Sequence, residues 1–313
     1  MIISKYPSRI SLAGGSTDQD QFLQKFKRGM VINFPADIYN RIIIDRDKLG
    51  KNVYDQKHVV IYSQREECDA LSEIKNDIVR ESLLNENHNE KFTTIFLSDI
   101  NSVGSGLACS SAYTLAFNRG LEVLQNKNYS QYQRCINAFN LEKKFNPFLG
   151  MQDTFGCGIS GLKVLHFKPD EYPTIETITT NVFEELDMYL TYTGVTRKST
   201  NILKTLSFND DSLLRICEDF LEAITKNNID LFLDLIKQGW IVKKNTSKNI
   251  VEDFRVKALD DQLSHDENIL AHRLCGAGNG GYFLSFVRKG IVPKYNSTIK
   301  IDLLDTFDDV TIL

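Results

Sequence analysis

The sequence predicts an α+β protein built from two domains. The chain has 313 residues, which is more than one typical core needs and suits two domains of ordinary size. Strand-like and helix-like segments are mixed without the regular βαβ order of a doubly wound sheet, and this favours the α+β class. The segment PDEYPT at 169–174 contains a local pair of prolines. We therefore place the domain boundary there, between residues 1–168 and 169–313.

Hydrophobic patterning predicts the individual elements. Helical spacing covers residues 66–84, 110–124, 131–145, 211–226, 228–240 and 252–269. Strand patterns cover residues 9–15, 30–45, 59–62, 158–167, 188–194, 280–286, 301–305 and 310–313. The sequence GAGNGG at 276–281 formally fits a dinucleotide-binding signature, but a strand pattern follows it where that fold needs a helix. We therefore reject a dinucleotide-binding fold.

Composition argues against several classes of protein. The net charge of −4 and the pI near 5.8 are unfavourable for a nucleic-acid partner, which usually requires a basic surplus. No apolar run reaches the ~18 residues that would cross a bilayer, and the first residues do not resemble a secretory signal. The six cysteines are scattered, without paired or metal-binding spacing. We expect a cytoplasmic protein with reduced thiols, no nucleic-acid partner and no membrane partner.

A glycine-rich loop precedes one of the predicted helices. Residues 101–117 read NSVGSGLACSSAYTLAF, and the glycines allow backbone N–H groups to turn toward a ligand. Ser110 or Ser111 could cap the helix, whose positive dipole end favours an anion. This chemistry predicts a phosphate cradle, although a plain glycine turn before a capped helix fits the same residues. No Lys-Ser or Lys-Thr follows the last glycine, so the loop is not a Walker A loop.

Four segments stand in a defined order along the chain. They are YPSRISLAGGSTD at 6–18, VGSGLACSSA at 103–112, LEKKFNPFLGMQDTFG at 141–156 and CGAGNGGYFLSF at 275–286. Their order and spacing resemble the GHMP small-molecule kinases, and the first, second and fourth look like the three motifs of that superfamily. The resemblance implies an N-terminal domain like ribosomal protein S5 and a ferredoxin-like C-terminal domain, with the active site between them.

Shorter motifs carry a closer resemblance. RISLAGGSTD, GLACSS, GMQDTFG, YTGVTRKS and GWIVKK look like the RISxxGGGTD, GLGTSS, GKQDQYA, YTGxxRxS and GWxxKK motifs of the D-glycero-D-manno-heptose 7-phosphate kinases. The sequence departs from them at Ser16, Ala108, Cys109 and Thr154, and Asn279 interrupts the last glycine run at 276–281. This resemblance implies ATP-dependent phosphorylation of the anomeric hydroxyl of a heptose 7-phosphate, for nucleotide-activated heptose synthesis.

Phosphoryl transfer to a hydroxyl needs a triphosphate cradle, a magnesium ion and a positioned acceptor. By the resemblance, Asp153 accepts the proton of the sugar hydroxyl or orients that hydroxyl. Arg9 keeps Asp153 ionised and stabilises charge on the transferring phosphoryl group. Glu142 and Ser110 match the family's Mg²⁺ ligands, and Ser111 fits the same spacing. Without the resemblance, Arg9 is a surface or strand-edge charge, Glu142 is a carboxylate paired with a neighbouring lysine, and Asp153 belongs to a helix cap.

The remaining predicted contacts fall into two groups. The nucleotide-binding group is Gly104, Ser105, Gly106, Leu107, Ala108, Cys109, Ser110 and Ser111. The substrate-binding group is Gly14, Gly15, Thr17, Asp18, Arg197, Lys244, Gly276, Gly278 and Gly280. Thr17 and Asp18 would bond sugar hydroxyls, while Arg197, with Lys243 and Lys244, would bind a phosphate already on the substrate. A turn-capping Asp, a solvated lysine face and a structural glycine turn are the plainer interpretations.

Cys109 leads to a separate prediction, which comes from local chemistry alone. A thiol at a helix N-terminus, in a loop rich in amides, should have a lowered pKa and raised reactivity. Thiol reagents would then inactivate the protein, and nucleotide would protect it.

Two other functions fit parts of the sequence. The first keeps the chemistry and changes the acceptor to another sugar, such as a hexose, a deoxysugar or a uronic acid phosphorylated at C1. The second is a non-catalytic regulator that binds sugar and nucleotide, against which the presence of Arg9, Glu142 and Asp153 argues. An RNA-binding role, suggested by fold alone, is disfavoured by the acidic pI. The oligomeric state stays open, with a homodimer as one option.

Overall fold

The structure is a computed structural model that describes residues 1–45, 57–87, 90–196 and 208–312. The strands of these residues are β1 (Ile2–Ala13), β2 (Gly29–Asp45), β3 (His58–Ile61), β4 (Arg65–Cys68), β5 (Thr93–Ser98), β6 (Lys163–Phe167), β7 (Thr174–Thr177), β8 (Leu186–Tyr192), β9 (Ala271–Leu274), β10 (Tyr282–Arg288), β11 (Thr298–Ile301) and β12 (Val310–Ile312). The helices are α1 (Asp20–Phe26), α2 (Asp77–Asn85), α3 (Cys109–Leu124), α4 (Gln131–Lys143), α5 (Met151–Gly158), α6 (Val182–Glu185), α7 (Ser212–Thr225), α8 (Ile229–Asn245) and α9 (Phe254–His265). Two short 3₁₀ helices are Leu71–Glu73 and Lys248–Val251.

Among the described residues, the larger sheet has eight strands, which include both β1 and β12. Its main path is β12-β1-β2-β5-β3-β4, and β6 pairs with β2 and with β7. The long strand β2 serves two neighbours, because residues 40–45 pair with β5 and residues 29–33 pair with β6. Helices α3 and α5 pack on β1 and β2. This packing brings the start of each helix near the end of β1.

The smaller sheet is antiparallel and has the strand order β11-β8-β10-β9. In chain order this is a 4-1-3-2 arrangement, in which helices α7 to α9 connect β8 to β9, as in a ferredoxin-like split βαβ unit. The second crossover, from β10 to β11, is a loop over residues 289–297 instead of a helix. Helix α7 also packs on β1 and β2, so one apolar core joins the two sheets.

Most of the long helices match their predictions. The elements α4, α7, α8 and α9 fall within or close to the predicted ranges, with α8 extending to Asn245. The predicted helix at 66–84 is wrong in its first half, where Arg65–Cys68 alternates between exposed and buried positions and forms β4. Helix α2 begins only at Asp77, because the Asn76 side chain caps it by accepting the Val79 N–H at 3.2 Å.

Two strands beyond residue 168 belong to the larger sheet. β7 pairs with β6, and β12 returns to pair with β1. The domain boundary at 168/169 stays a prediction. Two strands that follow it in the sequence pair with strands that precede it. In the described part of the chain, no helix is long and apolar enough to cross a membrane. The six cysteines are all buried.

Candidate active site

One polar cavity gathers residues from both halves of the fold. It lies at the end of β1, at the beginnings of α3 and α5, and beside β9. Its lining includes thirteen of the predicted site residues: Arg9, Gly15, Asp18, Gly104, Ser105, Gly106, Ala108, Cys109, Ser110, Ser111, Glu142, Asp153 and Gly276. Segments that are distant in the sequence therefore meet in one place.

The glycine-rich loop delivers the start of α3 to this cavity. Gly104, Gly106 and Ala108 have φ angles of 64°, 79° and 60°. Ala108 is the N-cap of α3, and its side chain makes no capping bond, so the prediction that Ser110 or Ser111 caps the helix is wrong. Both serines lie inside the first turn. Because no side chain in the described part of the chain caps the first amides, the positive end of α3 remains available to an anion.

Backbone-to-backbone packing fixes the loop against the fourth motif. A Cβ at Gly106 would lie 2.5 Å from the carbonyl oxygen of Cys275, and a Cβ at Gly281 would collide with the carbonyl oxygen of Ser105. Both glycines have positive φ angles. Only glycine permits this approach. The cavity wall formed by the loop and by Gly276 therefore depends on residues without side chains.

Asp153 and Arg9 form an ion pair within the cavity, in which Arg9 is buried and Asp153 is partly exposed. Asp153 lies in the first turn of α5, and its Oδ1 accepts from Nε and Nη2 of Arg9 at 3.1 and 2.6 Å. Burial lowers the pKa of Arg9, but attraction to Asp153 outweighs it and leaves that pKa raised. Nη1 of Arg9 donates to the Gly106 carbonyl at 2.8 Å. Arg9 thus connects the glycine-rich loop to Asp153, and neither residue is a surface charge or a helix cap.

Asp18 caps α5 from a distant turn. Its Oδ2 accepts the Gln152 backbone N–H at 3.1 Å, and its Oδ1 accepts from the Gln152 side chain at 2.7 Å. A Cβ at Gly150 would collide with the Asp18 carboxylate. Burial, followed by repulsion from Asp153, raises the pKa of Asp18 to about 6. Asp18 therefore holds the beginning of the helix that carries Asp153 while it lines the cavity.

The pKa of Asp18 leads to a pH-dependent stability difference. Its folded value of about 6 lies above the ordinary value of 3.8, so the folded protein binds the proton more tightly. Protonation of Asp18 therefore stabilises the folded state. This contribution to the free energy of unfolding is fully present below about pH 4 and is lost as the pH rises through about 6. We expect the free energy of unfolding of Asp18→Asn, relative to the unmutated protein, to rise by roughly 3 kcal/mol over this window. Urea unfolding at several pH values measures it. The exposed Asp20→Asn is the control, and parallel curves for Asp18→Asn and the unmutated protein would contradict the assignment.

Glu142 is completely buried beside the start of α3. Its Oε2 accepts from the Ser111 hydroxyl at 2.7 Å, while its Oε1 has no hydrogen-bond partner in the described structure. Burial raises the pKa of Glu142 to about 7, and hydrogen bonds from Ser111 and Ser110 oppose the shift. The alternative of a surface carboxylate paired with a neighbouring lysine is wrong, because Glu142 is buried, Lys143 pairs with Asp20 and Lys144 bonds Asn85.

A magnesium ion fits these oxygen donors. The orphaned Oε1 of Glu142 and the exposed Ser110 hydroxyl are hard ligands at one cavity wall. Ser111 is buried and already bonded to Glu142, so it orients the carboxylate. The described residues contain no cluster of three or more His, Cys, Asp or Glu side chains that could hold a metal. An ion here would take its other ligands from water and phosphate, as Mg²⁺ commonly does.

The prediction of a lowered pKa for the Cys109 thiol is wrong. Burial raises the pKa of Cys109, and hydrogen bonds from Ser105 and Ser8 lower it too little to compensate. The sulfur lies 3.2 Å from the Ser105 hydroxyl and 3.5 Å from the Ser8 hydroxyl. The thiol points into the protein, so the helix dipole acts on a group that burial keeps neutral.

Three predicted contacts of the N-terminal half, two for substrate and one for nucleotide, lie beside the cavity and outside its lining. Thr17 exchanges hydrogen bonds with the Met30 backbone, donating at 2.8 Å and accepting at 3.0 Å. Gly14 packs against the Met30 carbonyl, and Leu107 belongs to the hydrophobic core. These three residues shape the turns that present Gly15 and the start of α3.

The predicted contacts of the C-terminal half divide in the same way. Gly276 lines the cavity, whereas Gly278 and Gly280 pack against neighbouring segments of that half. Lys244 bonds Asp260 at 2.9 Å. Arg197 lies outside the described residues.

Two cations of the C-terminal half are cavity residues. Lys243 and Arg273 are 3% and 6% exposed, and both line the cavity. Lys243 donates to the Ser16 hydroxyl, and Arg273 donates to the Leu12 carbonyl at an irregularity of β1. Of the two lysines in the GWIVKK motif, Lys243 lines the cavity, whereas the predicted site residue Lys244 bonds Asp260. No local pattern marks Arg273, which reaches the cavity only through sheet packing.

Three departures from the related motifs share one backbone property. Ser16, Ala108 and Asn279 have φ angles of 84°, 60° and 54°, in the region that favours glycine. Two of them gain a compensating bond, since Ser16 accepts from Lys243 and the Asn279 side chain accepts the Asp253 N–H at 2.7 Å. The chain therefore keeps the glycine-type turns with other residues.

The two sheets and the helices packed on them have the α+β GHMP kinase fold, as predicted. The sequence matches no protein-family model and no curated protein. The structure is similar to a D-glycero-D-manno-heptose 1-phosphate kinase from Bacteroides thetaiotaomicron, with a TM-score of 0.76 and 16% identity over 100% of this chain and 99% of that one. A Streptococcus pneumoniae phosphomevalonate kinase in complex with phosphomevalonate and AMPPNP gives a TM-score of 0.73 and 14% identity over 92% of each chain. A Lactococcus lactis galactokinase complexed with galactose gives 0.67 and 15% over 91% of this chain and 85% of that one.

Proposed function

We propose that the protein is a kinase that transfers the terminal phosphoryl group of ATP to a hydroxyl of a sugar. The observation that carries this proposal is the Asp153–Arg9 ion pair in the cavity that also receives the start of α3. A carboxylate beside an anion-binding helix end suits a reaction between a hydroxyl and a phosphate. The fold shared with structures described as kinases supports the same chemistry.

Each group of residues has a role in this reaction. Residues 104–111 and the first amides of α3 bind the triphosphate. Asp153 orients the acceptor hydroxyl and takes its proton, and Arg9 keeps Asp153 in place and stabilises the transferring phosphoryl group. Glu142 and Ser110 hold Mg²⁺, which would neutralise phosphate charge when bound. A purely regulatory protein would need neither the base nor the metal ligands.

The acceptor that we favour is D-glycero-D-manno-heptose 7-phosphate, phosphorylated at its anomeric hydroxyl. The sequence motifs resemble kinases of that sugar, and the Bacteroides structure is described as a heptose kinase. Asp18 and the turn at Gly15 face the cavity, where a short carboxylate and backbone groups suit sugar hydroxyls. A hexose, a deoxysugar or a uronic acid is the alternative acceptor.

The test is ADP release with ATP and Mg²⁺ over a panel of sugars and sugar phosphates. We expect turnover with heptose 7-phosphate and little turnover with its unphosphorylated parent. Turnover with a different sugar would keep the kinase reaction and replace the acceptor. Tight nucleotide binding with no turnover on any member of the panel would support the regulatory alternative and contradict the proposal.

A further inference from the structure

Arg273 is a buried cation on the cavity wall, and it forms no ion pair with any residue that the structure describes. Its Nη1 donates to the Leu12 carbonyl, while its Nε is buried and has no hydrogen-bond partner among the described residues. The ionisable groups that act most on its pKa are two thiols and Arg9, and none of them is a carboxylate. Burial and the nearby Arg9 both lower that pKa. A buried charge without a counter-charge is costly, so an anionic ligand would stabilise it.

Other polar groups face the same part of the cavity. The Ser11 hydroxyl is buried, lines the cavity and has no hydrogen-bond partner in the described structure. Lys243 reaches the cavity from α8 and donates to Ser16. Nη2 of Arg273 would lie 3.9 Å from a Cβ at Gly15. Donors from both halves of the fold therefore surround the turn assigned to the acceptor.

Asp260 bonds the residues that follow Lys243 and precede Arg273 in the sequence. Its Oδ2 accepts from Lys244 at 2.9 Å, and its Oδ1 bonds His272 at 2.8 Å and the Trp240 indole at 2.7 Å. Lys244 and His272 are thus directed to Asp260, whereas the adjacent Lys243 and Arg273 line the cavity. The bonds of Asp260 therefore hold α8 against β9. The positive charge of Arg273 remains available to a ligand in the cavity.

We propose that Arg273, with Ser11 beside it, binds a phosphate or carboxylate group carried by the acceptor. This inference rests on the proposed kinase function, and it names the residues that would bind the anionic group of the acceptor. A guanidinium suits such a group because its N–H donors match two oxygens at once. The site lies at the turn after β1, apart from the start of α3 that is assigned to the nucleotide. It therefore favours sugar phosphates and uronic acids over neutral hexoses.

The test compares Arg273→Gln and Arg273→Lys with the exposed Arg288→Gln of the adjacent strand as a matched control. Steady-state kinetics with heptose 7-phosphate and with unphosphorylated heptose give the acceptor KM, and calorimetry without nucleotide gives the Kd of both sugars. We expect Arg273→Gln to raise KM and Kd for the phosphorylated sugar by about 10- to 100-fold, with little change for the unphosphorylated sugar. Arg273→Lys should recover part of the loss, and Arg288→Gln should match the unmutated protein.

Two results would overturn the inference while the kinase function stands. Equal losses for both sugars would make Arg273 a structural residue, and a raised KM for ATP alone would assign it to the nucleotide phosphates. If the unmutated protein turns over no acceptor, the proposed function fails and calorimetry decides the inference. Binding of heptose 7-phosphate or glucuronate that Arg273→Gln abolishes would still support it. Absence of binding of both to the unmutated protein would refute it.

Discussion

Asp153→Asn is expected to lower kcat by about 10²- to 10⁴-fold, the usual contribution of a positioned general base. The substitution preserves the size of the side chain and an oxygen that can accept from Arg9, so α5 should keep its position. The amide cannot take the proton of the acceptor hydroxyl. Nucleotide affinity should change little, because residues 104–111 and the start of α3 are untouched.

The measurement is single-turnover and steady-state ADP release, with calorimetry for ATP affinity. Asp77→Asn is the matched control, because Asp77 also lies in the first turn of a helix and pairs with an arginine, Arg80, outside the cavity. The control should retain the activity of the unmutated protein. A kcat for Asp153→Asn within a few-fold of the unmutated value would show that another group takes the proton.

The predicted residues that meet in the cavity lie within continuous motifs. Asp153 and Arg9 lie in two short segments whose order and residue types resemble those of known kinases, and their ion pair joins those segments. The helical period after Ser110 likewise predicted α3, because the side chains that face the core recur at the spacing of one helix face. Local sequence pattern was sufficient to predict a cavity residue where the same short segment also forms the helix or strand that carries it.

Packing decided the features that the sequence could not reveal. Local chemistry favoured a reactive Cys109 thiol, but its sulfur is enclosed by Ser8 and Ser105, and burial raises its pKa. Arg273 reaches the cavity only because β9 belongs to a sheet that packs beside β1. Desolvation and long-range neighbours control such groups, and neither is encoded in a short window of sequence.

Glu142→Gln is expected to lower kcat/KM by on the order of 10²- to 10³-fold, because it removes the one carboxylate proposed for the metal. The change is nearly isosteric and removes a buried group that has only one hydrogen-bonded oxygen, so the fold should persist. The readout that separates a metal role from a structural one is a titration of Mg²⁺ at fixed ATP. Half-maximal activity should require far more Mg²⁺ in Glu142→Gln, and Glu81→Gln on α2 is the control.

The two serines of this site should respond differently. Ser110→Ala removes a hydroxyl that is proposed to meet the ion, and it should shift the Mg²⁺ requirement in the same direction as Glu142→Gln. Ser111→Ala removes the 2.7 Å bond that orients Glu142, and supporting residues of this kind typically change metal affinity by about 10- to 100-fold. A larger shift in the Mg²⁺ requirement for Ser111→Ala than for Ser110→Ala would make Ser111 the metal contact and Ser110 the residue that orients Glu142. An unchanged Mg²⁺ requirement in all three variants would exclude this wall of the cavity as the metal site, because it is here that a buried carboxylate oxygen is left without a partner.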